Sequence, residues 1–407
     1  MTAGNNTSVH PRDQRRYDLD WLRVIAFGLL IFYHIGMFYV TWDWHVKSPH
    51  AGPAAELAMM FVNPWRLALL FFISGIVVRY AMDKYAAAGL STARFAWKRF
   101  WRLFIPVVFG MGVVVMPQAY FQLRYEGVVA PGILAFWPQY FSFDDHFGII
   151  TPTWNHLWYV VYLLVYTMIV CAFAPALRAL GDKLSAAKVR GGLALIALTP
   201  VPFLVYRFAL DPYFPQTHGL LDDWANHAHR ITIFLLGFAV AKSDGFWRAI
   251  DRAAPAALGY LVLTVPLFAM AWSGDNWERV EAIGMADLLR GMRIVYAWAA
   301  IVALCAMARR YLNRDSKTLR YLTGAVFCYY ILHQTIIVAV GYGLAKLALP
   351  AALEFSILTL ATVGGCVIGY EAFRRAPYLR FALGIDVARA NSDRRAGAFK
   401  PATPAAA

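Results

Sequence analysis

Long apolar stretches recur along the whole chain, and this recurrence most strongly limits what the chain can fold into. A helix needs about 20 consecutive apolar residues to cross the hydrocarbon layer of a membrane. The candidate helices begin near Leu19, Leu57, Leu103, His156, Gly191, Ile231, Ala254, Leu288, Tyr321 and Ala351. The sequence therefore predicts an all-α, polytopic transmembrane helix bundle of about ten helices, in which the short stretch at Ile231 could be a half-span.

Composition excludes a soluble domain with a polar surface. Of 407 residues, 60% are hydrophobic and only 15% are charged, which is typical of a membrane protein. The net charge of +14 does not indicate a nucleic-acid partner, because the basic residues lie mostly between the apolar stretches. The four cysteines lie inside apolar stretches without the spacing of a metal site, so we expect neither disulfides nor a bound metal.

Charge alternates between successive connections, which predicts the topology. Alternate connections are rich in Lys and Arg, whereas the others are acidic or aromatic, as in "TWDWHVKSPH" and "FSFDDHFGII". Cytoplasmic loops have the excess of Lys and Arg, so the pattern predicts a multi-pass protein of the inner membrane with both termini in the cytoplasm. We expect a cytoplasmic tail over residues 1–18, a membrane domain over 19–375, and a largely disordered cytoplasmic tail over 376–407.

The first apolar stretch contains two ionisable residues on one helical face. Arg23 and His34 are eleven positions apart, which is about three helical turns, so the two side chains share a face about 16 Å apart. Arg23 is predicted near the cytoplasmic end, where it can pair with Asp20 three residues earlier. His34 is predicted beyond the middle of the membrane. Ionisable residues at such depth are costly, and they indicate either function or a structural hydrogen bond to another helix.

Other polar residues are predicted within or near the membrane. Arg99 and Arg102 lie three apart at the cytoplasmic entry of the third stretch, where Pro106 is expected in the first helical turn. The further polar candidates are Asn63, Arg66, His45, His156, His333 and Gln334. Each alone could be structural, and the two arginines alone could be ordinary topology anchors. Together they predict a polar cavity open to both sides of the membrane.

These residue types suit acyl transfer across a membrane. A neutral imidazole can accept a proton from a sugar hydroxyl near pH 7, and guanidinium groups bind phosphates such as those of coenzyme A. A secondary transporter or flippase for a glycolipid or acyl-containing solute is the alternative, but it predicts inverted repeats and paired broken helices, which the sequence does not show. A receptor or scaffold would not need these groups aligned across the bilayer.

Several motifs together resemble the acyltransferase-3 family of integral membrane acyltransferases. "LDWLRVIAFGLLIFYH" resembles its first-helix motif, "RLALLFFISG" its second, and "RFWR" its third, while "FLLGF" and "YILHQT" resemble later helices. Within the family the likeness is strongest to succinyltransferases of periplasmic glucans, through "TWDWHV" and "HLWYV". The resemblance extends from Tyr17 to about Arg375.

The resemblance implies an O-acyltransferase that moves an acetyl or succinyl group from cytoplasmic acyl-CoA to a cell-envelope carbohydrate. His34 would be the essential histidine and general base, Arg23 its motif partner, and Arg99 and Arg102 part of the acyl-CoA site. Asn63, Arg66 and His333 are the alternatives for the group that stabilises the oxyanion, and the sequence does not rank them. A homo-oligomer is also left open.

The sequence departs from the family in one respect. Many members have a Glu after a Trp-Ser-Leu element, but the nearest stretch here, "HLWYVVYLLVY", contains no acid. The group that orients His34 is therefore left open among Asp43, His45 and Asn63.

Overall fold

The structure of the protein, a computed structural model, describes residues 15–186 and 192–385, excluding the side chains of 184–186. It is built from α-helices joined by short turns and loops. In chain order the helices are α1 (Tyr17–Met37), α2 (Glu56–Ala87), α3 (Thr92–Phe109), α4 (Met116–Tyr125), α5 (Ile133–Tyr140), α6 (Trp158–Ala172), α7 (Ala174–Ala186), α8 (Gly192–Leu198), α9 (Val201–Ala209), α10 (Trp224–Val240), α11 (Asp244–Ala271), α12 (Asn276–Ala282), α13 (Ala286–Tyr311), α14 (Lys317–Leu344), α15 (Ala351–Arg375) and α16 (Leu379–Ala382).

The all-α membrane architecture is confirmed. Within residues 15–186 and 192–385, nine helical segments are long and apolar enough to cross a membrane. The tenth candidate, near Ile231, corresponds to α10, which has 17 residues and lies at the short end of the 17–25 that a span requires. Most of the predicted C-terminal tail, from 386 onward, lies outside the described residues, as does the N-terminal tail up to 14.

The third membrane segment differs from expectation in where it begins. The prediction that Pro106 occupies the first helical turn is wrong, because α3 already begins at Thr92 and Pro106 lies in its interior. The polar and aromatic residues before Leu103 continue the same helix instead of forming a loop. A π-helical turn, Gly110–Val115, then joins α3 to α4.

The π-helical turn is stabilised by side chains that bond to its backbone. A wider turn leaves carbonyl groups poorly paired, and such groups need partners inside a membrane. Trp137 Nε1 donates to the Gly112 carbonyl at 3.1 Å, and the Tyr140 hydroxyl donates to the Met111 carbonyl at 3.1 Å. Thr335 Oγ1 donates to the Val114 carbonyl at 2.5 Å. The turn is therefore fixed by α5 and α14.

The described residues form two compact units. The first contains the residues up to Ala26, together with Phe61–Thr92 and the residues between Val170 and Leu319. The second contains Phe27–Met60, Ala93–Ile169 and the residues from Arg320 onward.

Glycine contacts pack α2 against α10 in the first unit. A Cβ on Gly75 would lie 1.9 Å from the Phe234 carbonyl oxygen, and one on Gly237 would lie 2.1 Å from the Phe72 carbonyl oxygen. Only glycine allows the two backbones to approach so closely, which is a common packing mode of membrane helices. The glycines of the "FFISG" and "FLLGF" motifs therefore have a packing role.

Apolar packing joins α1 to α14 and α15 in the second unit. Ile31, Ile35 and Phe38 of α1 form one buried cluster with Ile337 and Val338 of α14. Leu358 of α15 belongs to the same cluster. This packing brings the C-terminal half of α1 beside the middle of α14, where His34 and His333 lie.

Candidate active site

His34 and His333 form a hydrogen-bonded pair in the second unit. His34 Nδ1 lies 2.7 Å from His333 Nε2, although the residues are 299 positions apart in the sequence. His333 is fully buried, whereas His34 is half-buried. The ring planes differ by only 6° and the centroids are 4.9 Å apart. Because face-to-face rings could not bring two nitrogens within 2.7 Å, the imidazoles meet edge to edge.

The backbone of α14 determines which nitrogens hold protons in the neutral pair. His333 Nδ1 lies 2.6 Å from the Tyr330 carbonyl, which can only accept a hydrogen bond. His333 Nδ1 therefore holds the ring proton, and its Nε2 accepts a hydrogen bond from His34 Nδ1. The lone pair of His34 is consequently on Nε2. This is the hydrogen-bond arrangement in which a second group can orient a histidine base.

His156 packs against this pair. Its ring lies edge-on to His333, with centroids 5.2 Å apart and planes at 85°. His156 Nε2 donates to the Ile331 carbonyl at 3.1 Å, and the Tyr330 hydroxyl donates to the His156 carbonyl. These bonds tie the 3₁₀ turn Asn155–Leu157 to α14. His156 therefore holds the backbone that orients His333.

A chain of amide side chains continues from the histidines. Gln118 is fully buried, and its Oε1 accepts from Asn155 Nδ2 and from Gln334 Nε2, both at 3.2 Å. Gln118 Nε2 donates to Thr335 Oγ1 at 2.6 Å. Gln118 also lies 3.5 Å from His156 Nδ1. Buried polar groups are costly unless paired in this way.

His45 extends this series of hydrogen-bonded side chains towards the surface of the second unit. Gln334 Nε2 donates to His45 Nε2 at 2.9 Å, and His45 Nδ1 lies 2.5 Å from Gln122 Oε1, to which it donates. Burial lowers the pKa of His45, although the Gln122 hydrogen bond and the Asp43 charge act in the opposite direction. His45 is therefore neutral near pH 7, consistent with one nitrogen donating and the other accepting.

His45 and Gln122 line a cavity of about 400 Å³ together with residues of two loops. One loop supplies Asp43 and Trp44, and the other supplies residues between Ile149 and Asn155. His45 and Asn155 on its wall bond to Gln334 and Gln118. The cavity and the histidine pair therefore share one hydrogen-bond network, which runs from His333 through Tyr330 and His156 to Gln118.

The remaining predicted residues lie elsewhere. Arg23 is in the first unit and pairs with Asp20 at 3.6 Å, as its spacing predicts. Asn63 and Arg66 are also in the first unit, where Arg66 Nη1 donates to Asn63 Oδ1 at 3.4 Å. The structure thus brings His34, His45, His156 and His333 together in the second unit.

Arg99 and Arg102 lie one turn apart on α3 of the second unit. Arg99 is half-buried and Arg102 is exposed. Between 16 and 19 residues separate them from Gln118 along one continuous helical segment. At about 1.5 Å per residue this is on the order of 25 Å. The arginines and the histidine network therefore occupy opposite ends of the third membrane segment.

Sequence reasoning missed Gln118 and Gln122, and it did not predict that His333 contacts His34. Two glutamines four residues apart in the apolar stretch "MPQAYFQLRY" share one helical face. That spacing was the available signal. Folding supplies a hydrogen-bond partner of His34, His333, from a distant part of the chain; a role for Asp43, His45 or Asn63 in orienting His34 stays a prediction.

Within the described part of the chain, no group of three or more His, Cys, Asp or Glu side chains could hold a metal ion. Two of the histidines donate from a ring nitrogen to a backbone carbonyl. The arrangement suits proton transfer by His34 Nε2.

A family model described as an acyltransferase domain, that of the acyltransferase-3 family, matches residues 16–371. The chain belongs to this family. It is a multi-pass membrane acyltransferase, and the sequence-based identification of its family and enzyme class is confirmed.

The acyltransferase is similar to two curated proteins named "Glucans biosynthesis protein C". One is from Escherichia coli O6:K15:H31 (strain 536 / UPEC) and the other from Escherichia coli (strain K12). Each is 24% identical over 390 residues, covering 90% of this chain and 94% of the relative. No solved structure matches the acyltransferase.

Proposed function

We propose that the protein transfers an acyl group, acetyl or succinyl, from cytoplasmic acyl-CoA to a hydroxyl of a cell-envelope glucan, with His34 as general base. The observation that supports this most directly is the hydrogen-bond direction Tyr330 carbonyl–His333–His34, which leaves the lone pair of His34 on Nε2. The glucan acceptor is supported by the name of the two relatives, "Glucans biosynthesis protein C".

The reaction is one nucleophilic displacement. His34 Nε2 takes the proton of the acceptor hydroxyl as its oxygen attacks the thioester carbonyl. The carbon–sulfur bond then breaks, an ester forms, and the coenzyme A thiolate leaves and is protonated by the His34 imidazolium. His333 stabilises that imidazolium through the hydrogen bond from His34 Nδ1. No covalent acyl-histidine is required.

The test compares two substitutions at His34 in the purified, full-length protein. His34→Ala and His34→Gln should each lower transfer from acyl-CoA to glucan by about 10²–10⁴-fold, the usual contribution of a positioned base. Glutamine retains hydrogen bonds but cannot take a proton at neutral pH. Thermal unfolding should remain close to that of the parent. An active His34→Gln enzyme would exclude His34 as the base.

Arg99 and Arg102 are proposed to bind the phosphates of acyl-CoA. They are one turn apart and about 25 Å of helix from Gln118, which suits a donor and an acceptor that enter from opposite ends. The double variant Arg99→Ala/Arg102→Ala should raise the KM for acyl-CoA, with a larger increase at low salt than at high salt because phosphate contacts are screened. Arg94→Ala, an exposed basic residue of the same helix, is the control. An unchanged KM in the double variant would indicate that the two arginines only fix the orientation of the helix in the membrane.

A further inference from the structure

The cavity beside the histidine network has walls of two different characters. The polar part comprises Asp43, His45, Gln122, Thr153 and Asn155, and the apolar part comprises Trp44, Ile149 and Ile150. Its volume of about 400 Å³ lies within the 300–1,000 Å³ of ordinary small-molecule sites. All of these residues belong to the second unit.

Asp43 is the polar wall residue with the most unused hydrogen-bonding capacity. His45, Gln122 and Asn155 are held by other members of the network. The Asp43 side chain is exposed and makes no hydrogen bond to any residue within the described ranges. A carboxylate offers about four acceptor positions to hydroxyl groups. Its negative charge disfavours an anionic occupant such as a succinyl group.

Trp44 supplies the aromatic surface. Its ring lies 5.3 Å from that of His45 at 56°, and it packs against the buried cluster formed by Ile31, Ile35 and their neighbours. An aromatic face with hydrogen-bonding side chains beside it suits a ligand that has an apolar face and polar edges. A pyranose ring has this character, because its axial C–H groups form one face and its hydroxyls lie at the rim.

The second loop is held rigid where it meets the cavity. The Tyr140 hydroxyl accepts a hydrogen bond from the Thr153 N–H at 3.0 Å. Asn155 has a φ of 40°, a left-handed conformation that asparagine tolerates better than most residues. Asn155 is therefore held in place while its amide bonds to Gln118. Such preorganisation reduces the entropy that binding must offset.

We infer that this cavity is the acceptor subsite, in which Trp44 packs on one sugar ring of the glucan and Asp43 accepts hydrogen bonds from its hydroxyls. His45 and Asn155 position that ring relative to His34 through Gln334 and Gln118. This inference rests on the proposed function. Both loops that form the cavity are predicted on the periplasmic side, where a cell-envelope acceptor would enter.

The experiment measures donor and acceptor kinetics separately on the full-length protein in detergent. Succinyl-CoA or acetyl-CoA is the donor, linear gluco-oligosaccharides are the acceptor, and thioester hydrolysis to water is followed without acceptor. Trp44→Leu and Asp43→Asn should each raise the acceptor KM by about tenfold or more, equivalent to about 1.4 kcal/mol. The donor KM and the rate of hydrolysis to water should not change.

Matched controls are available on the same two loops. Trp42→Leu changes a tryptophan two residues away, and Asp145→Asn changes an exposed acid of the second loop; neither residue lines the cavity. Both should leave the acceptor KM unchanged. Asp43→Asn alters only an exposed side chain, so it keeps the test valid if Trp44→Leu fails to fold.

Three results would overturn the inference. The first is an unchanged acceptor KM in both cavity variants, and the second is an equal rise of the acceptor KM in the controls. The third is a rise of the donor KM in place of the acceptor KM, which would assign the cavity to the acyl group. If the parent transfers no acyl group at all, the proposed function fails. Calorimetric titration of the parent and Trp44→Leu with the same oligosaccharides then decides the subsite by itself: weaker binding by the variant supports it, and equal binding refutes it.

Discussion

Polar residues are accommodated differently in the two units of this membrane protein. In the second unit, histidines and glutamines form a largely neutral network through His333, Gln118 and Gln334. In the first unit, Asp83 of α2 is surrounded by cations, at 3.0 Å from Arg79, 2.7 Å from Lys242 and 3.3 Å from Arg178.

This difference indicates two different roles. The neutral network of the second unit suits proton transfer, whereas the ion pairs of the first unit attach helices to one another. Neutral amides and imidazoles cost less to bury than charges, and each of their hydrogen bonds has a defined direction. The ion pairs of Asp83 instead attach α7 and the end of α10 to α2, whose glycines already contact α10. We therefore expect changes in the second network to alter turnover, and changes around Asp83 to alter stability.

Among the variants that test this difference between the two units, the largest effect is expected at His333, which acts through His34. His333→Ala removes the acceptor of the His34 Nδ1 proton and should lower kcat by about 10- to 100-fold, the loss seen when metal-bound histidines lose an orienting hydrogen-bond partner. His333→Gln should recover part of this loss, because an amide oxygen can accept the same proton. The measurement is kcat together with thermal unfolding of both variants.

A simple structural role for His333 gives a different pattern. The melting temperature of His333→Ala would then fall in step with its activity, and the fraction that remains folded would turn over like the parent. Equal activity of His333→Ala and the parent would end the orienting role altogether.

A smaller effect is expected at Asp83, and on stability alone. Asp83→Asn leaves three cations facing a neutral amide and should lower the free energy of unfolding by about 1–3 kcal/mol, less than for a fully buried pair because the cluster is partly exposed. The difference from the parent should shrink at high salt. Asp182→Asn, whose exposed carboxylate pairs with Arg79 at 2.9 Å, should cost under about 1 kcal/mol.

Turnover of the folded protein is the deciding measurement for Asp83. It should match the parent in both variants once the folded fraction is known. A loss of kcat at Asp83 with unchanged stability would contradict the division between the two clusters.

The smallest effect at neutral pH is expected at His218 of the first unit, which should matter only in acid. Burial lowers the pKa of His218 to about 4, with Arg230 and Arg66 acting in the same direction and Asp223 opposing them. In the unfolded chain its pKa is about 6.5, so folding favours the neutral ring. The stabilisation is complete above pH 6.5 and is lost as the pH falls from 6.5 towards 4.

His218→Gln tests this dependence. The variant should unfold with a shallower pH dependence than the parent between pH 6.5 and 4, and with the same dependence above pH 7. Identical slopes for both proteins across the acidic range would show that His218 is solvated in the folded state.

Local features were predictable from the sequence, whereas distant pairings were not. The apolar stretches predicted the membrane helices, and the three-residue spacing predicted the Arg23–Asp20 pair, because both depend on the geometry of one helix. The partner of His34 lies 299 residues away on α14. Nothing in the sequence near His34 indicates which helix packs against α1. The contact between His34 and His333 therefore could not be predicted without the fold.

The beginning of the third segment shows a different limit. Pro106 is typical of a first helical turn, and the preceding residues are polar, so a start near Leu103 was the natural prediction. In the fold, α3 begins at Thr92 and includes Pro106. The helix therefore accommodates Pro106 in its interior, and the local preference of the proline does not set where the helix begins.

The π-helical turn Gly110–Val115 determines which way the side chains of the following helix, α4, face around the helix axis. Relative to an α-helix it adds one residue, which rotates the subsequent side chains by about 100° around the axis. Gln118 and Gln122 thereby face Gln334 and His45, while Arg99 and Arg102 keep the phase of α3. Deleting one residue in this turn would restore regular backbone hydrogen bonds and yet turn both glutamines away from their partners. The angular relation between the two ends of this membrane segment therefore depends on a single extra residue.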